Sequence, residues 1–149
     1  QSPQVVVLCG MNTRLRSRVG ALPAAVSGRV RPIGFTNDVD VWFEACDAVV
    51  GKAGGLTCSE ALVKRVPLVI FKPTPGQEDR NAEYLVQAGA ARHAGSVEEV
   101  AATVSGWLSH PAELERVREA AGRIARPDAA ATIARRVLEG LAPGEHGRG

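Results

Sequence analysis

Charge of one sign is what this 149-residue chain most lacks: 18 basic residues face 16 acidic ones, leaving a formal net charge of +2. A balance that small does not draw in nucleic acid or an acidic membrane surface. Long apolar runs are missing as well, so no stretch approaches a membrane span, and no signal-peptide pattern opens the sequence. The three cysteines, Cys9, Cys46 and Cys58, are odd in number, fit no zinc spacing and sit in apolar surroundings. They predict three buried thiols in a reducing, cytosolic protein. The three histidines, His93, His110 and His146, have no partners at ligand or triad spacing, so no metal site is expected. There is no internal repeat. Two familiar phosphate signatures are also absent: glycine and lysine occur in the wrong order for a P-loop, and no G-x-G-x-x-G is present.

What is present is an apolar content of 45%, enough for one globular domain with a sizeable core. That domain is expected over residues 1–142, with "PGEHGRG" at 143–149 as a frayed tail. The opening Gln1-Ser-Pro-Gln4 runs almost directly into an apolar strand pattern, which suggests a domain cut from something longer. Strands are predicted at Val5 to Cys9, Val30 to Ile33, Asp47 to Val50, Leu68 to Phe71 and Ala90 to His93. Helical spacing covers Thr13 to Leu22, Val39 to Ala45, Leu56 to Arg65 and Asp79 to Ala88. Asn37 or Asp38 is placed to cap the second of these helices. Three further helical stripes follow Val97, and Pro111 and Pro127 each suit a first turn. Strand–helix alternation with nearly all-apolar strands predicts an α/β fold. Its parallel sheet would carry helices on both faces, with extra C-terminal helices.

Glycine is concentrated after the strands: Gly10 after the first, Gly34 after the second, Gly51, Gly54 and Gly55 around the third, Gly76 after the fourth. In a parallel sheet these loops leave one edge, where open α/β sheets bind ligands. The stretch "GKAGGLTCSE" places Gly54-Gly55 just ahead of a helix whose first turn includes Leu56 and Thr57. A helix start offers free N–H groups and a partial positive charge, so it can hold a phosphate that side chains would block. Lys52 could add charge. Glu60, one turn in, could accept hydrogen bonds from a ribose diol. The same Thr57-Cys-Ser-Glu60 also spells a capping box, in which Glu60 merely reaches back to a free N–H. Further on, Gln77, Glu78 and Asn81 offer amide and carboxylate groups suited to sugar hydroxyls, or form an ordinary capped loop.

Together, "CGMNTRL", "IGFTNDVDVWFEACDAVVGKAGGLTCSEAL", "PLVIFKPTPGQEDRNAEYLVQAGAA" and "RPDAAATIA" resemble the carboxyl-terminal half of monogalactosyldiacylglycerol synthases and diacylglycerol glucosyltransferases. These are relatives of the N-acetylglucosaminyltransferase that makes lipid II. The resemblance runs from Val5 to about Ala134. It implies a Rossmann-like half of a GT-B glycosyltransferase, the half that binds a UDP-sugar donor. An N-terminal acceptor domain, in the same or a separate chain, would supply the lipid-like acceptor and the catalytic base, so no catalytic residue is assigned here. Carried over by position, Gly34 and Phe35 would line the uracil. Gly54, Gly55, Leu56 and Thr57 would contact the diphosphate, with Gly10 and Asn12 near it, and Glu60 would hold the ribose. Gln77, Glu78 and Asn81 would face the sugar. No cofactor or metal is implied, because a helix N-terminus can stabilise the departing diphosphate. Asp79 and Arg80 depart from the pattern in relatives, which leaves the hexose open. Location would be cytoplasmic, any membrane contact being made through the missing half. The alternatives are a UDP-sugar 2-epimerase-like domain, a stand-alone donor-binding subunit that needs a partner chain, and a general mononucleotide module.

Overall fold

The structure, a computed structural model, describes residues 3–141 and divides between Trp42 and Phe43 into two compact units. The expected tail at 143–149 and His146 lie outside the described residues.

In the first unit, β1 (Val5–Leu8) and β2 (Val30–Ile33) pair in parallel, with Val5 opposite Val30 and Leu8 opposite Ile33. The crossover between them holds α1 (Thr13–Gly20) and a short α2 (Pro23–Val26). One helix was expected up to Leu22, but Leu22 is extended (φ −68°, ψ 142°) and Pro23 starts the new turn. Proline forces this break, because its ring crowds the preceding residue out of the helical region. The next helix, α3 (Val39–Ala45), crosses the division between the units. Its first N–H bonds run to the Asp38 carbonyl (Trp42 N to Asp38 O, 3.3 Å), and the Thr36 hydroxyl accepts from Asp38 N–H at 3.0 Å.

The second unit is built on β3 (Val49–Gly51), β4 (Leu68–Phe71) and β5 (Ala91–Ala94), all parallel with β4 in the middle. Between and after them come α4 (Gly55–Val63), α5 (Gln77–Gln87), α6 (Val97–Ser109), α7 (Pro111–Ile124) and α8 (Ala129–Leu141). Side chains alternate across a strand, and in β4 both faces are buried. Leu68 and Ile70 pack with Cys58 of α4, Ala82 and Leu85 of α5 and Ala120 and Ala121 of α7. On the other face, Val69 meets Trp107 of α6 with Leu114 and Val117 of α7. Leu68, Val69 and Ile70 each contribute about 1.5–3 kcal/mol by leaving water, which is why a central parallel strand reads as unbroken "PLVIF".

Some expectations shift. The third strand is Val49–Gly51 rather than Asp47 to Val50, since Asp47 is exposed and ion-paired with Arg118 at 3.0 Å. Pro111 does open α7, but Pro127 lies in the turn ahead of α8. Cys9 and Cys58 are buried, whereas Cys46 is only half-buried just past the end of α3. The apolar stripe of α8 meets solvent, with Ile133, Val137 and Leu138 all exposed. Among the described residues no helix is long and apolar enough to cross a membrane.

Candidate functional site

Because β3 and β4 are adjacent and parallel, the loops that follow them leave the same edge of the second unit. After β3 the chain passes Lys52, buries Ala53 in the core and reaches Gly54 and Gly55. Gly54 is the N-cap of α4 and Gly55 its first residue; no side chain caps this end. The N–H groups of the first turn are therefore left for solvent or an anion. Neither glycine is demanded by the fold. Gly54 has φ −65°, open to any residue, and a Cβ there would make only ordinary contact; a Cβ on Gly55 would meet nothing within 4 Å.

The capping-box alternative for Glu60 does not form. The cap falls at Gly54, which puts Thr57 inside the first turn rather than ahead of it. Thr57 is half-buried, and Leu56 and Glu60 face outward on α4. Cys58 and Ala61 form the buried face of the same helix.

The loop after β4 is wound onto itself and onto its neighbour. Gly76 takes φ +105° at the N-cap of α5, a conformation side chains rarely adopt. Its N–H donates to Asp79 Oδ2 at 3.1 Å, so Asp79 caps α5. Thr74 N–H donates to Glu78 Oε2 at 2.5 Å. Those Thr74 hydrogen bonds, with the nearby Lys52 charge, hold the Glu78 carboxyl below its ordinary value, so it stays an anionic acceptor. Two side chains span the loops: Lys52 Nζ donates to Thr74 Oγ1 at 3.1 Å, and Asn81 Nδ2 donates to the Ala53 carbonyl at 2.8 Å. Gln77 opens α5 and is exposed. Lys52, expected to add charge here, belongs to this constellation, and so does Thr74, which was not among the expected site residues. The signal for Thr74 was its place between two prolines. Burial raises the Cys58 thiol to about 11, with the Glu78 carboxylate adding to the effect.

The first unit brings its own four residues to one end of the β1–β2 pair. Gly10 turns the chain with φ +54°, and Asn12 Oδ1 caps α1 by accepting from Leu15 N–H at 2.9 Å. Gly34 lies under the Arg16 guanidinium, 3.3 Å from where a Cβ would stand. Phe35 follows with 67% of its surface exposed, a large aromatic face with no core partner. In the second unit, an open cavity of about 280 Å³ lies instead at the entrance to β5, lined by Gly89, Arg92 and residues of α7. It touches none of the expected site residues.

The sequence matches the family described as the Glycosyltransferase family 28 C-terminal domain over residues 2–133. It is 35% identical over 137 residues to monogalactosyldiacylglycerol synthase 2, chloroplastic, of Arabidopsis thaliana, covering 91% of this chain and 29% of that protein. It is also 35% identical over 116 residues to the processive diacylglycerol beta-glucosyltransferase of Bacillus subtilis, covering 78% of this chain and 30% of that one. The chain thus spans less than a third of the length of these relatives. Among solved structures, WaaG, a glycosyltransferase involved in lipopolysaccharide biosynthesis, matches 95% of this chain and 38% of its own, with TM-score 0.68 and 17% identity. HepE of Anabaena, solved with UDP-glucose, matches 93% of this chain and 40% of its own, with TM-score 0.66 and 20% identity. At those identities the likeness is one of fold, and it agrees with the α/β architecture of parallel sheets flanked by helices.

Proposed function

The chain belongs to the Glycosyltransferase family 28 C-terminal domain family, and on that premise we propose that it is the UDP-sugar-binding half of a hexosyltransferase acting on a lipid-like acceptor. The observation that carries this reading is the Gly54-Gly55 turn. Conformation and packing leave both positions free to carry side chains, so the remaining reason for glycine is close approach of a ligand to the uncapped start of α4. A pyrophosphate suits that approach, since the helix end presents N–H groups and partial positive charge.

The other roles follow the same logic. Within the first unit, the exposed ring of Phe35 next to Gly34 is of the kind on which a base such as uracil stacks. Glu60, outward-facing on α4, accepts from the ribose diol. Gln77 and the anionic Glu78 take sugar hydroxyls. As an acceptor hydroxyl attacks the anomeric carbon, negative charge grows on the departing UDP, and the α4 N-terminus stabilises it there. The attacking hydroxyl, its base and any contact with a membrane face belong to an acceptor half. This chain alone binds donor without transferring it. Both relatives named above carry diacylglycerol in their names, and this supports a lipid-like acceptor.

Calorimetric titration of UDP, UDP-glucose, UDP-galactose and ADP into the chain tests the reading. UDP and one or more UDP-hexoses should bind, with ADP at least about tenfold weaker. Equal affinity for ADP would make the chain a general mononucleotide module, and no UDP binding at all would end the donor reading.

A further inference from the structure

We propose that Asn81 is a positioning residue rather than a sugar contact through its nitrogen: its side-chain amide clamps the Ala53 carbonyl, fixing the Gly54-Gly55 turn for the pyrophosphate. The inference rests on the donor-binding reading above and deepens it. Asn81 sits in the second turn of α5, 28 positions from Ala53, and donates from Nδ2 at 2.8 Å. Because the acceptor is a carbonyl, only the amide nitrogen can make this bond, and Oδ1 alone remains for anything else.

Ala53 is fully buried, and β3 has already ended at Gly51, so its carbonyl has no strand to pair with. A buried carbonyl requires a donor, and α5 provides one. Immediately after Ala53 come the two glycines, the residues with the most backbone freedom to lose. Without an anchor they would have to be ordered by the ligand itself, at a cost in affinity. The anchor is reinforced one residue earlier, where Lys52 Nζ reaches Thr74 Oγ1 at 3.1 Å. The loop after β4 is in turn stiffened by the bonds from Thr74 N–H to Glu78 and from Gly76 N–H to Asp79. The element that carries the sugar-facing residues therefore also holds the phosphate turn in place.

Asn81→Asp is the sharp test, since it keeps the shape but sets a carboxylate against the carbonyl. Asn81→Ala, which introduces no charge, serves if the first variant fails to fold. In the ligand-free chain, hydrogen exchange of the Cys58 amide, which is bonded to the Gly54 carbonyl at 2.9 Å, should quicken in either variant while far-UV circular dichroism stays unchanged. In titrations, UDP and UDP-glucose should weaken by the same factor, about three- to tenfold, leaving their ratio as in the parent. Gln77→Ala, as a comparison, should lower only UDP-glucose. Unaltered exchange at Cys58 overturns the clamp, and a loss confined to UDP-glucose overturns it and makes Asn81 a sugar contact. If the parent itself binds no UDP, the donor reading falls, while the exchange measurement still judges the clamp.

Discussion

Gly54 and Glu78 stand side by side: a Cβ built on Gly54 would lie 4.0 Å from Glu78 Oε1, an ordinary contact distance. The fold therefore tolerates alanine here, and at Gly55 it gains from it, because alanine in a helix is favoured over glycine by about 0.5–1 kcal/mol. Gly55→Ala should raise the melting temperature slightly while weakening UDP by tenfold or more, since its methyl group would occupy the mouth of the α4 N-terminus. Gly54→Ala should be near neutral in stability and similarly poor in binding. Calorimetry of both variants checks this; a Gly55→Ala protein that binds UDP as the parent does would remove the turn from the site.

Glu60 is exposed, and no hydrogen bond among the described residues involves its side chain. Its loss should leave stability within about 0.5 kcal/mol. If it accepts from the ribose diol, the parent should prefer UDP over 2′-deoxy-UDP, and Glu60→Ala should weaken UDP by about tenfold while erasing that preference. Titration of both nucleotides into both proteins gives the answer, and an intact preference in the variant would place the ribose elsewhere.

Much of the architecture was legible because periodicity carries it. The strands Val30–Ile33 and Leu68–Phe71 and the helix Val39–Ala45 were placed to the residue. What periodicity could not show was direction. Glu78, Asp79 and Asn81 were readable as polar groups near a helix start, yet nothing local says that Asp79 turns back to Gly76 or that Asn81 crosses to Ala53. Those bonds depend on which loop lies beside which, and so on the pairing of β3 with β4. Whether Thr57 and Glu60 form a capping box was a question of one turn of helical register, and the cap falling at Gly54 means that they do not. The break at Leu22-Pro23 was legible in principle from the proline alone.

Trp107 separates folding from binding. It is 2% exposed and packs on Val69, Leu114 and Val117, on the face of β4 away from Cys58 and α4. Trp107→Ala should cost about 3–5 kcal/mol through lost burial and an unfilled cavity. At temperatures where the variant remains folded, its UDP affinity should match that of the parent. Urea denaturation paired with titration tests both halves. A variant that loses UDP binding while fully folded would show that the two faces of the sheet are not independent.

Cys58 gives the chain a specific weakness at high pH. Burial, helped by the nearby Glu78 carboxylate, raises its thiol to about 11 against an ordinary value of 9.0. Between those values the unfolded chain releases a proton that the folded chain keeps, so the folded state binds more protons and stability falls as pH rises. The loss should begin near pH 9 and level off near pH 11, amounting to roughly 2–3 kcal/mol from this group. Cys46, half-buried beside Asp47, is raised as well and adds a slope of the same sign. Cys58→Val, close in volume, should change neutral-pH stability by less than about 1.5 kcal/mol. Above pH 9 it should become the more stable of the two proteins by comparison with its own neutral value. Urea midpoints of parent and variant at pH 7, 9.5 and 10.5 measure the difference; parallel declines would mean that the Cys58 thiol has no part in the alkaline loss.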